Sequence, residues 1–228
     1  MSEIIQITAI VEGATERNFI TEVLQPYLNK KNIFITPIMA SKAGQKGGDI
    51  KFTRIKQDIQ NHLKQRKDTY ITLMIDFYGL TDWKNLDEAK QKNSPSEKAN
   101  IINKAIQDEI EELLPEYNSK KRFIPYVNIH EFEALLFSDP EILSKHLQVD
   151  KKQIEQIIKE CGEPEKINDS RETAPSKRLD SLSNNRFKKI ATGLEIAKEI
   201  GILKMRTACP LFDIWLNNIE KLAQREYI

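Results

Sequence analysis

The run from Tyr70 to Ile75 (YITLMI) is almost continuously apolar and is closed by Asp76. A strand that is apolar at nearly every position has no face to offer to water. It belongs inside a sheet covered on both sides, which means a parallel sheet with helices above and below. Ile5, Ile7, Ala9 and Val11 alternate ahead of Glu12-Gly13, and Phe123 to Ile129 is again strand-like. Between these strands lie helical repeats. Phe19, Ile20, Val23, Leu24, Tyr27 and Leu28 recur at helical spacing in a helix beginning near Thr15, and Phe52, Ile55, Ile59 and Leu63 do so in a second. Strands alternating with helices predict an α/β fold with a mostly parallel sheet. A further short strand is expected over Ile33 to Met39, a helix over Ser96 to Leu114, and an irregular loop from Gly79 to Pro95.

After Asp139 the pattern turns helical, with segments expected at Pro140 to Leu147, Asp150 to Glu160, Gly193 to Ile200 and Phe212 to Arg225. We therefore read residues 1–139 as an α/β core and 140–228 as a helical C-terminal part packed on it in one unit. At 228 residues the chain can enclose one sizeable core. No apolar run is long enough to span a bilayer, and no secretory signal precedes the first strand, so no membrane and a cytoplasmic location are expected. Cys161 and Cys209 are too few for a disulfide framework or a cysteine zinc knuckle.

Charge is segregated, although the net value is only +1. Eight basic residues (Lys42, Lys46, Lys51, Arg54, Lys56, Lys64, Arg66 and Lys67) stand between Ser41 and Lys67 against Asp49 and Asp58. Such a segment suits a phosphate backbone or, equally, a solvated helix face. Acids instead collect at strand ends: Glu12 after Val11, Asp76 after Ile75, Glu131 and Glu133 after Ile129. Open parallel sheets build their sites at those ends. Carboxylates gathered at one point repel, and a hard divalent cation such as Mg²⁺ or Mn²⁺ relieves them. Each acid taken singly reads as well as a cap on the helix that follows it; three in parallel favour a site.

Glu16, four residues after Glu12, either shares the ion or is a first-turn glutamate favoured by the helix dipole. Glu131 and Glu133 flank Phe132 and would face one side together if the strand continued. Ser176, Lys177 and Arg178 follow Pro175 at a helix start, where backbone N–H groups favour anions. Lys46, Lys51 and Arg54 are the substrate-binding residues expected from the basic segment. His130-Glu131 opens like a zinc-protease helix, but Ala134 stands where the second histidine is required. The Gly44 to Gly48 loop lacks the Gly-Lys-Ser/Thr ending of a P-loop.

The strings VEGATE, GQKGGDIKF, MIDFYGL, HEFEALLFSD, TAPSKRL and IGILKMRTACPLFDIWL run from end to end of the chain. The set resembles a bacterial family of small Toprim-like proteins, domain-of-unknown-function family 4276. Through VEGATE and the strand-ending Asp76, it also resembles the Toprim domain of topoisomerases, bacterial primases and overcoming-lysogenization-defect (OLD) nucleases. The resemblance implies a metal-dependent phosphodiesterase, an endonuclease on DNA or RNA in phage or plasmid defence, beside an ATPase partner. It implies that Glu12, Glu16 and Asp76 hold Mg²⁺ or Mn²⁺ and that Lys177 is the late lysine of the catalytic set. Tyr78 stands where the Toprim Asp-x-Asp has its second Asp, and Asp82, Glu131 or Glu133 is left to supply that ligand. A non-catalytic module that docks nucleic acid or an ATPase is the rival expectation, and phosphoryl transfer on a small molecule a third. The apolar set Phe212, Ile214, Trp215, Leu216, Ile219 and Leu222 suits either the core or a homodimer interface.

Overall fold

A sheet whose central strand is apolar on both sides needs two helical layers, and the chain supplies both. The structure is a computed structural model and describes residues 4–40, 50–167 and 173–227. In chain order it runs β1 (Ile5–Val11), α1 (Ala14–Phe19), a π-helical turn (Ile20–Leu24), α2 (Gln25–Asn29), β2 (Ile33–Met39), β3 (Ile50–Lys51), α3 (Phe52–Gln65) and β4 (Thr69–Asp76). Then follow β5 (Leu80–Thr81), α4 (Leu86–Lys90), α5 (Pro95–Leu113), α6 (Ser119–Arg122), β6 (Phe123–Ile124) and β7 (Val127–Asn128). A 3₁₀ stretch (Phe132–Ser138) leads to α7 (Pro140–Leu147), α8 (Lys151–Cys161), α9 (Pro175–Leu182), α10 (Ala191–Ala208) and α11 (Pro210–Glu220).

The five-stranded sheet has the order β2-β1-β4-β6, with β7 also pairing β4, and these pairings are parallel. The fold class is therefore α/β, a parallel sheet flanked by helices with a helical C-terminal part. Pleating sends alternate strand residues to opposite layers. Ile5, Ile7, Ala9, Val11 and Met74 join one cluster with Phe19, Phe132, Phe212 and Trp215. Ile10, Ile71, Leu73 and Ile75 join the other, with Ile55, Ile59, Ile102 and Ile106. Phe19 lies 5.0 Å from Phe132 and 6.1 Å from Phe212, ring centre to ring centre, so the first layer unites N- and C-terminal segments. Trp215 stacks on Tyr126 at 4.5 Å and donates its indole N–H to Thr72 Oγ1 at 2.9 Å, fastening α11 to the sheet.

Three expectations change. The strand expected over Phe123 to Ile129 is two short strands, because Pro125 lacks an N–H for the ladder. The chain leaves the sheet at Asn128, so Glu131 and Glu133 are carried by a bend and the 3₁₀ stretch and not by a strand. The Gly79 to Pro95 region is ordered, with β5 pairing β3 in a separate two-stranded sheet and α4 behind it. No helix among the described residues is long and apolar enough to cross a membrane.

Candidate metal and phosphate site

Register brings the strand ends together. Val11 is paired with Met74, and Asp76 with Asn128, so the carboxyl ends of β1, β4 and β7 are side by side. Glu12 leaves β1 in the turn before α1, and its Oε2 accepts the Asp76 N–H at 3.3 Å. Gly13 is extended (φ −144°), so its role is spatial: a Cβ there would meet Glu16 Oε2 at 3.0 Å. Glu16, buried in the first turn of α1, thereby folds back over the turn. Gly79 does the same for Glu12, whose Oε2 would lie 3.3 Å from a Cβ at that position.

Asp76 is the focus of the electrostatics. Its Oδ1 is buried and has no hydrogen-bond partner. Burial pushes its carboxyl well above the usual range, and the charges of Glu16, Glu12, Glu133 and Glu131 push it further, in that order. Burial first, then Glu12 and Glu133, raises Glu16 to about 7 against the pull of its own backbone hydrogen bonds. Glu133, 2% exposed, is also raised by burial, with Lys189 opposing.

Lys189 is a residue of this candidate site that sequence reasoning missed. Its ammonium lies 3.2 Å from Glu133 Oε1 and 3.5 Å from Glu131 Oε1. Burial lowers its affinity for a proton, but Glu133, Glu131 and Asp76 outweigh this and leave it raised. It sits in the polar stretch between α9 and α10, with no periodicity to distinguish it from Lys188 beside it. Lys177, by contrast, is exposed on the first turn of α9 and makes no ion pair among the described residues. The Ser176 N–H donates to Glu131 Oε2 at 2.9 Å, so this amide positions an acid instead of standing open to substrate. Arg178 donates to Thr173 O at 3.1 Å and also serves the local fold.

More unpartnered polar atoms follow along the β7 segment. Asn128 Nδ2 and both ring nitrogens of His130 are buried without hydrogen-bond partners, as is the Tyr126 hydroxyl. Burial, and then the Lys98 charge, press His130 down to about 3. Buried polar atoms are nearly always paired, so such a concentration points to a ligand or water between them. Lys51 and Arg54 are half-buried, and the pairing of Lys51 with Thr81 brings this end of α3 beside the Gly79 turn. Lys46 lies outside the described residues, with the rest of the Gly44 to Gly48 loop. Asp82 is exposed in the positive-φ turn after β5.

The carboxylates offer the oxygen donors that a hard divalent cation prefers, and the buried Asp76 Oδ1 is the atom such an ion would satisfy. Among the described residues, no three His, Cys, Asp or Glu side chains are placed to hold an ion together. The acids therefore share one field without forming a closed shell, with Lys189 as the nearby counter-charge.

Residues 11–220 match the model of a family described as a domain of unknown function (DUF4276). No curated protein and no solved structure matches the chain.

Proposed function

The chain belongs to the DUF4276 family, and we propose that it is a Mg²⁺- or Mn²⁺-dependent phosphodiesterase of the Toprim kind, an endonuclease on DNA or RNA. The observation that carries this reading is the buried, partnerless Asp76 Oδ1 at the end of β4 with four further carboxylates acting on it. Glu12 and Asp76 are the primary holders of the ion, with Glu16 and Glu133 completing its charge balance and Glu131 oriented by the Ser176 amide. A divalent cation held there supplies Lewis-acid charge for a phosphodiester oxygen. Lys189 balances the acids and is the side chain best placed to turn toward a phosphate that enters among them. Lys51, Arg54 and the exposed Lys177 supply rim charge for the flanking backbone.

A resident role in phage or plasmid defence beside an ATPase agrees with the Toprim likeness and belongs to the same proposal. The test is cleavage of labelled single- and double-stranded DNA and RNA, with Mn²⁺ and with chelator. The wild type should cut only with metal, and Asp76→Asn should not cut at all. Metal-independent cutting, or an active Asp76→Asn, overturns the reading. The rival reading, a non-catalytic docking module, draws on Tyr78 in place of a second Asp and on the open spacing of the acids. It is favoured if all variants bind nucleic acid alike and none cuts, with a co-purified ATPase present or absent.

A further inference from the structure

Beside the acids, toward α5, stands a group of side chains that cation binding does not use. Tyr78 sits in the turn between Asp76 and Gly79, and Gly79 in that turn packs on the Glu12 carboxylate. The residue is 53% exposed. Its ring is braced edge-on against the fully buried Phe77, at 5.4 Å and 89°, so the exposed aromatic is mounted on the core. The Lys98 ammonium lies 5.9 Å from both ring centres and, among the described residues, makes no ion pair.

An exposed, rigidly mounted aromatic and an ammonium with no ion pair among the described residues match two parts of a nucleotide. They offer a surface for the base and a charge for the phosphate. We propose that Tyr78 and Lys98 form a base-binding subsite next to the scissile phosphate, and that the substrate is single-stranded nucleic acid. A paired base inside a duplex has both faces covered by its neighbours and cannot lie on Tyr78. The proposal rests on reading the acid cluster as a phosphodiester site.

Binding of a short fluorescent single strand and of its duplex is measured by anisotropy, with Ca²⁺ replacing Mn²⁺ so that affinity is read apart from turnover. The wild type should prefer the single strand by about tenfold or more, and Tyr78→Ala should weaken single-strand binding by about tenfold while changing duplex binding by less than about twofold. Tyr78→Phe keeps the ring and should bind as the wild type does, and Lys98→Ala should weaken the single strand. Equal affinity for strand and duplex, an unaffected Tyr78→Ala, or no binding to either form overturns the subsite. Mn²⁺-dependent cleavage is scored in parallel. Tyr78-dependent binding by a protein that never cuts supports the subsite and removes the phosphodiesterase reading. Metal-dependent cutting with Tyr78→Ala binding like wild type does the reverse.

Discussion

Asp76 combines a buried, unpartnered oxygen with four like-charged neighbours. A residue so placed works against the fold. With its folded-state pKa raised, holding it ionised at neutral pH costs stability, and removing the charge returns that stability. Asp76→Asn should therefore raise the stability of the metal-free protein by about 1–2 kcal/mol, measured by denaturant unfolding in chelator, while abolishing metal-dependent activity. A destabilised Asp76→Asn would mean that the carboxylate is an ordinary structural anchor. The two lysines near the site should separate in the same assay. Lys189→Ala leaves the buried Glu133 without its counter-ion and should cost about 1–2 kcal/mol, once solvent screening of the half-exposed ammonium is allowed for. Lys177→Ala, on the surface, should stay within about 0.5 kcal/mol of wild type.

At the scale of elements, α11 is held at its start by Glu165, whose two carboxylate oxygens accept the Leu211 and Phe212 N–H groups at 2.8 and 3.0 Å. Burial raises this carboxyl from 4.5 to about 7 despite those bonds. The folded state thus holds its proton more tightly than the unfolded chain. Stability is kept below about pH 4.5 and lost as pH rises through about 7, by about 3 kcal/mol in all. His130, pressed down to about 3, acts oppositely below pH 6.5, so the comparison must be made against a variant. Relative to wild type, Glu165→Gln should gain stability between pH 4.5 and 8; a constant difference across that range contradicts the account. The central strands were legible because burial on both faces leaves an uninterrupted apolar run at Tyr70 to Ile75 and a clean alternation at Ile5 to Val11. The β6–β7 break turns on one proline, and the two-residue β3 and β5 are too short for any period to register. Gly13 stands in the turn after Glu12, and only the fold shows that its reason is the close approach of Glu16.

For the molecule as a whole, Glu12 and Asp76 were legible as strand-end acids, since parallel topology forces those ends together, whereas Glu131 and Glu133 reach the same place from beyond β7. Lys189 was not, because its meeting with Glu131 spans 58 residues and depends on how the helical C-terminal part is laid over the first layer. Tyr78 was visible in sequence only as a missing acid. Its exposure and its place against Phe77 and Lys98 are tertiary facts. The pairing of β3 with β5 sets Lys51 opposite Thr81, two residues after the Gly79 that packs on Glu12, and Arg54 follows in the first turn of α3. If both neutralise backbone phosphates, replacing them with Ala should make the salt dependence of binding shallower. The log–log slope should fall by about 0.7 for each phosphate of a single strand that is no longer neutralised. An unchanged slope assigns them to solvated surface. The central claim, that Asp76 and its neighbours hold a divalent ion, is tested most directly by anomalous diffraction from a crystal soaked in Mn²⁺. The account expects a manganese peak bonded to Asp76 and Glu12 at the β1–β4 strand ends, absent from Asp76→Asn crystals. Manganese bound elsewhere, or an equal peak in both proteins, contradicts it.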